Sequence, residues 1–196
     1  MNKATTILGI DFSPRASSNS GRLLGEVLRS LEHDRRLRVV EQVRLADERI
    51  DCLGCERCYQ SLGYHRDGID RVLSLMKQSD VIVIATPTCF GMPPALGIVL
   101  LDRADPLWRD GQHLKGRLGA VIVNGATEPA DDPSVGQCAD NMLKVFEQHG
   151  MPHAQPALLG GTFAYSGQRF PDQFPAGTTA VLERLAEQIR QRGVRR

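Results

Sequence analysis

The chain has no long hydrophobic run. No stretch reaches the roughly 18 apolar residues that span a bilayer as a helix, so a helical membrane protein is not expected. The opening MNKATTILGIDF lacks the apolar core and small-residue cleavage site of a secretory signal, so a cytoplasmic location is expected. Excess charge is missing too: 24 Lys and Arg stand against 23 Asp and Glu, a formal net charge of +1. That balance speaks against a general nucleic-acid or membrane-surface binder, and the basic tail RQRGVRR reads as a helix end. No G-x-x-x-x-G-K followed by Ser or Thr is present, which excludes a P-loop. No G-x-G-x-x-G opens the first helical segment, which excludes the dinucleotide fingerprint. No nucleophile elbow surrounds Ser13, and no Ser-His-Asp or paired-carboxylate arrangement stands out. Repeats, low-complexity tracts and linkers are likewise lacking, so residues 1–196 read as one domain, a length that supports a substantial core.

What is present is an alternation. TTILGI, DVIVIAT and LGAVIVNG are buried apolar strands; RLRVVEQVRL alternates only partly and AQPALLG is weaker. Between them lie helical patterns over 20–33, 67–78, 94–104, 135–149 and 177–192. In the first, Leu23, Leu24, Val27, Leu28 and Leu31 share a face. Continuous apolar strands separated by helices predict a parallel sheet covered on both sides. Five such strands point to an α/β, flavodoxin-like three-layer sandwich with strand order 2-1-3-4-5. Ligands of such sheets sit beyond the carboxyl ends of the strands, so the segments after each strand are where function is expected.

Three of these segments are informative. SPRASSNS, residues 13–20, runs from a buried strand into a helix. A helix start exposes unpaired N–H groups at the positive end of the dipole. Ser13, Ser18 and Ser20 add hydroxyls, Asn19 an amide and Arg15 a permanent charge. A single cap would account for one such residue; the whole set predicts a phosphate site, and the missing P-loop favours a terminal monophosphate. TPTCFGMPPALG is a stiff loop, through Pro87, Pro93, Pro94 and Gly91, whose amides and Phe90 would pack along a flat ring; it reads equally as an ordinary strand-to-helix connection. NGATEPADDPSVGQ is long and polar, and Asn124, Gly125, Ala126 and Thr127 would close over a ring through backbone groups.

Together, in this order and over nearly the whole chain, these segments resemble the NADPH-dependent FMN reductase family, including its iron–sulfur flavoprotein branch. SPRASSNS is similar to the family phosphate loop S-P-R-x-x-S-N-S/T, and LDRADPLW to its L-D-R-x-x-P-L-W stretch. The resemblance implies that Ser13, Arg15, Ser18, Asn19 and Ser20 hold the phosphate of FMN. It implies that Pro87, Thr88, Cys89, Phe90, Gly91 and Met92 line the isoalloxazine site, and that NGATE stands where the family has a glycine-rich loop over the flavin. The chain departs from the pattern at Phe12, where the family commonly has a small residue, and at Cys89, where it commonly has an aromatic. The implied activity is hydride transfer from NADPH or NADH to FMN and onward, by a ping-pong route, to a small-molecule acceptor such as a quinone, a flavin or an azo compound. The implied assembly is a homodimer or homotetramer. An electron carrier without its own substrate and a non-catalytic redox sensor stand as alternatives.

Cys52, Cys55 and Cys58 follow at three-residue steps in CLGCERC. In the iron–sulfur branch such a triplet is completed by a fourth cysteine, and four thiolates hold a 4Fe-4S cluster. Here the fourth position falls near Gly63, with His65 close by. Three readings stand open: a cluster with an unusual fourth ligand, a Cys3His zinc site with His65, and a remnant with no metal. Cys138 reads as a buried helix residue, His113, His149 and His153 as surface or packing residues. Phe163, Tyr165, Phe170 and Phe174 concentrate aromatics in a chain with 5% overall, and read as an oligomer contact, a lid or a loop packed on its own domain.

Overall fold

A computed structural model of the chain describes residues 3–49, 51–60, 64–109, 112–127, 129–131, 133–162 and 174–193. Its sheet has five parallel strands in the order β2-β1-β3-β4-β5. β1 (Thr5–Asp11) and β4 (Leu118–Asn124) are buried at every residue, and β3 (Val81–Pro87) at all but its last. Those are the three continuous apolar runs, as expected of strands covered on both faces. β2 (Leu37–Arg44), which alternates, is one edge; β5 (Ala157–Leu159) is the other and is only three residues long.

The helices are α1 (Asn19–Glu32), α2 (Gly68–Gln78), α3 (Ala95–Arg103), α4 (Asp105–Arg109), α5 (Ser134–Gln148) and α6 (Thr178–Gly193). Because side chains of a strand point alternately to opposite faces, the sheet feeds two cores. Ile10, Ile82, Ile84 and Val121 meet Leu73 of α2, Leu100 of α3 and Met142 of α5. Ile7, Val83, Ala120 and Ile122 meet Leu24 and Leu28 of α1 and Leu185 and Ile189 of α6. This is the three-layer flavodoxin-like sandwich that the strand pattern predicts. α4 is an addition to it. Pro106 is tolerated in a helix's first turn, and Leu107 is driven fully into the core, so a short helix follows α3 directly.

Between β1 and β3 the strand order reverses direction, and this opens a crevice beyond their carboxyl ends. No helix among the described residues is long and apolar enough to cross a membrane. Phe163, Tyr165 and Phe170 lie outside the described residues, as does Gly63. Phe174 packs against the α1/α6 core, with the Arg22 guanidinium 4.6 Å from its ring centroid.

Candidate functional site

The loop after β1 is shaped by its own side chains. Phe12 N–H donates to the Ala85 carbonyl at 2.9 Å, extending the β1–β3 pairing by one residue. The Phe12 ring is fully buried in the α2/α3/α5 core rather than in the crevice. Ser13 N–H then donates to Asp11 Oδ1 at 3.0 Å, and Arg15 N–H to Ser13 Oγ at 3.3 Å, two successive side-chain-closed turns. Ser18, extended at φ −106°, caps α1 by accepting the Gly21 N–H at 2.8 Å. Arg44 of β2 donates to the Arg15 carbonyl at 3.1 Å and ties the loop to the sheet edge. The N–H groups of Asn19 and Ser20, in the first turn, have no intrahelical acceptor, and the positive end of the helix dipole is added to them.

This loop forms one wall of a cleft of about 430 Å³, within the range of roughly 300–1,000 Å³ typical of small-ligand sites. Ser13, Pro14, Arg15, Asn19 and Ser20 line it from the first loop; Pro87, Thr88, Cys89, Pro94 and Ala95 from the segment after β3; Asn124 from the end of β4; and Thr162 from the segment after β5. Most of that lining was legible in the sequence. Thr162 was not, because it precedes an aromatic-rich stretch and belongs to no motif. Its place is set by tertiary contact: Thr162 Oγ1 donates to the Gly125 carbonyl at 3.2 Å and accepts from Asn124 Nδ2 at 3.1 Å, and its carbonyl accepts from Asn19 Nδ2. Ser20 Oγ donates to Asn124 Oδ1 at 2.6 Å. One buried network therefore joins the first, third and last loops.

Other expected residues support the cleft without lining it. Ser18 is committed to the helix cap. Cys89 and Met92 exchange backbone hydrogen bonds of 2.8 and 3.0 Å, closing a tight turn in which Phe90 and Gly91 have φ of 51° and 77°. The turn is pinned to α5: Asn141 Nδ2 donates to the Gly91 carbonyl at 3.1 Å, and a side chain at 91 would strike Gln137. Met92 is exposed on the same turn. The turn holds Phe90 out in solvent, 96% exposed, rather than along the cleft. Gly125 is buried, its N–H donating to the Leu159 carbonyl at 2.9 Å, while Ala126 and Thr127 are exposed beyond it.

The cysteine triplet lies in a separate loop between β2 and α2. Cys52 Sγ donates to Asp102 Oδ2 at 3.8 Å, and Cys55 Sγ is 3.6 Å from His65 Nε2. Cys58 is buried; burial pushes its thiol up, against the pull of nearby Arg103. The three cysteines line one small cavity together with His65, Asp102 and Arg103. Among the described residues no three His, Cys, Asp or Glu side chains gather as metal ligands. Beyond the triplet, Cys89 lines the cleft and Cys138 is buried in α5, so the chain's five cysteines leave this loop one thiolate short of a four-thiolate cluster. The residues present do not fit that cluster. Arg103 anchors the loop from below: it pairs with Asp67 and, at 2.8 Å, with Asp70, and donates to the Asp51 carbonyl at 3.4 Å.

A sequence profile of the NADPH-dependent FMN reductase family matches residues 5–160. The iron-sulfur flavoprotein MJ1083 of Methanocaldococcus jannaschii is 29% identical over 159 residues, 80% of this chain and 81% of that one. Among solved structures, an azoreductase from Bacillus anthracis superposes with a TM-score of 0.69 at 17% identity, covering 95% of this chain and 99% of its own. An NAD(P)H:quinone oxidoreductase from Methanothermobacter marburgensis gives 0.69 at 15% identity, covering 95% and 94%. At such identities the superpositions speak for the fold.

Proposed function

The chain belongs to the NADPH-dependent FMN reductase family, and from that premise we propose that it binds FMN in the cleft beyond β1 and β3 and passes electrons from NAD(P)H to a small-molecule acceptor. The observation that carries this reading is the union, in one cleft, of the hydroxyl-rich helix start with the proline-rich wall after β3. The donor set suits a phosphate monoester: the Ser13 hydroxyl, the Asn19 amide N–H not given to Thr162, the Arg15 cation and the first-turn N–H groups of α1, while the Ser20 hydroxyl is held by Asn124. Pro87, Thr88, Pro94 and Ala95 offer a largely apolar wall for a ring system, and Asn124 and Thr162 offer polar groups at its side.

When bound, the flavin supplies the redox chemistry. The chain's part is to hold and shield. Arg15 and the start of α1 fix the phosphate end; Thr88, its N–H donating to the Asn124 carbonyl at 3.0 Å and its hydroxyl to the Ser134 carbonyl at 3.2 Å, keeps the ring-side wall rigid. Among the described residues, no side chain lining the cleft offers an acid–base pair, so none is assigned as catalytic. Donor and acceptor would use the same cleft in turn, which predicts ping-pong kinetics. No step is assigned to the cysteine loop.

The test is a visible spectrum of the purified chain with added FMN, before and after NADPH or NADH. Flavin bands that bleach with either nicotinamide and return when a quinone is added support the reading. A chain that binds no FMN refutes it. One that binds FMN without oxidising a nicotinamide is a carrier instead.

A further inference from the structure

A carboxylate lies directly behind the loop assigned to the phosphate, where a second negative charge is least welcome. Asp11, the last residue of β1, is fully buried. Its Oδ1 accepts the Ser13 N–H, while Oδ2 is buried with no hydrogen-bond partner of good geometry. Oδ2 lies against the first turn of α1: a Cβ at Gly21 would come within 2.6 Å of it. Gly21 therefore leaves the cradle that Asp11 occupies, and the Ser18 hydroxyl acts on the carboxyl from the same side. This places an anion of the chain's own at the positive end of α1, the potential that the ligand's phosphate would use.

We propose, resting on the flavin reading above, that Asp11 is the positioning residue of the phosphate loop and that it exchanges charge for a proton as the phosphate binds. Without ligand, the carboxylate is the counter-ion of the α1 N-terminus and its Oδ1 holds Ser13 in place. When a phosphate dianion arrives, Oδ2 takes one proton from solvent and the Ser13 contact to Oδ1 persists. On release the proton returns to solvent. Burial already pushes the Asp11 carboxyl up, more than the Ser13 and Ser18 hydrogen bonds and the Arg44 charge hold it down, and Asp47 adds to the rise. The other elements packed against it present uncharged groups: Ser18 and Gly21 on α1 and Ala85, its register partner on β3. The loop and α1 carry Arg15 and Arg22 on either side of that set.

The expected consequence is that FMN binding takes up protons, between the pKa of Asp11 in the unliganded chain and its higher value in the complex. Calorimetric FMN titrations at matched pH, in two buffers of different ionisation enthalpy, count them. Wild type should take up as much as about one proton per FMN, and its Kd should rise with pH by up to about tenfold per unit within that window. Asp11→Asn keeps the acceptor for Ser13 and has nothing to titrate. It should show only the proton belonging to the phosphate itself, whose second pKa is about 6, and should bind FMN more tightly than wild type at high pH. Equal proton counts and equal pH slopes in the two proteins overturn the proposal. So does an Asp11→Asn chain that folds but binds FMN more weakly at every pH. If Asp11→Asn does not fold, Asp11→Ser and a comparison of FMN with riboflavin on wild type decide: phosphate-independent proton uptake overturns the proposal. If wild type binds no FMN at any pH, the flavin reading itself fails, which is a distinct result.

Discussion

Phe12 and Gly97 are made for each other: a methyl group at 97 would stand 2.2 Å from Phe12 Cδ2 and 2.9 Å from Cγ. Phe12 leads into the SPRASSNS loop, and the bare helix surface at Gly97 is what receives its ring. The cleft stays open because the large side chain turns into the core.

The pair predicts a coupled loss of stability. Gly97→Ala should destabilise by about 1–3 kcal/mol through overpacking, beyond the roughly 1 kcal/mol that alanine gains in helix propensity. Phe12→Ala should cost about 3–5 kcal/mol through the cavity it leaves. The double variant should be more stable than the sum of the two losses allows, read as a coupling term in urea denaturation. Strict additivity would contradict the contact.

Arg15→Ala removes a cation from the cleft while the loop keeps its Asp11–Ser13 turn. FMN affinity should fall by roughly ten- to a hundredfold, in line with about 1.5–3 kcal/mol for a charged hydrogen bond. Riboflavin affinity and thermal stability should move little. An equal loss for riboflavin would take Arg15 away from the phosphate.

Arg103 sits 2% exposed between Asp67 and Asp70. Burial alone would raise the Asp67 carboxyl, but the Arg103 hydrogen bond and charge outweigh it and hold it below the ordinary range. Arg103→Ala strands the buried Asp70 and the half-buried Asp67 carboxylates and loosens the cap of α2, so a loss of about 3–5 kcal/mol is expected in urea unfolding. The stability that Asp67 contributes is present above its unfolded pKa of 3.8 and is lost as pH falls through the lower folded value.

His149 is buried at the end of α5, and burial holds its imidazole below the ordinary 6.5, against a smaller opposing pull from Asp105. Unfolded, it binds a proton below about pH 6.5; folded, it stays neutral to lower pH. The unfolded state therefore binds more protons in that window, and stability should fall as pH drops below 6.5. His149→Gln should flatten that part of the Tm-versus-pH curve; an unchanged slope would assign the effect elsewhere.

The thiols should separate by reactivity. Cys52, Cys55 and Cys89 are exposed, whereas Cys58 and Cys138 are buried and burial pushes the Cys138 thiol up to about 11. A thiol-reactive disulfide at neutral pH should label the three exposed cysteines first. Saturating FMN should protect Cys89, which lines the cleft, and leave Cys52 and Cys55 as reactive as before. Protection of the triplet instead would place the ligand elsewhere.

Local chemistry was legible where a residue's role depends on its neighbours in the chain. The runs of β1, β3 and β4, the amphipathic face of α1 and the serine-rich helix start are of that kind, because strand burial and helix capping act over a few residues. Roles that depend on distant partners were not. Phe90 is in the expected loop, yet the Cys89–Met92 bridge and the α5 side chains decide that it faces solvent. The cysteine spacing is cluster-like, yet Asp102 of α3, which accepts from Cys52, and His65, against Cys55, come to the triplet only through the fold.

The sequence by itself determined the layered α/β architecture, the order of its elements and the serine-rich start of α1 with its exposed amides, since hydrophobic periodicity and the unpaired groups of a helix end need no remote contact. Only the tertiary structure decided that Thr162 joins the cleft, that Phe12 leaves it and that Asp11 is sealed behind it. Each of those outcomes depends on which surfaces meet when the strands stack and the helices close over them, and close packing is a property of the assembled chain.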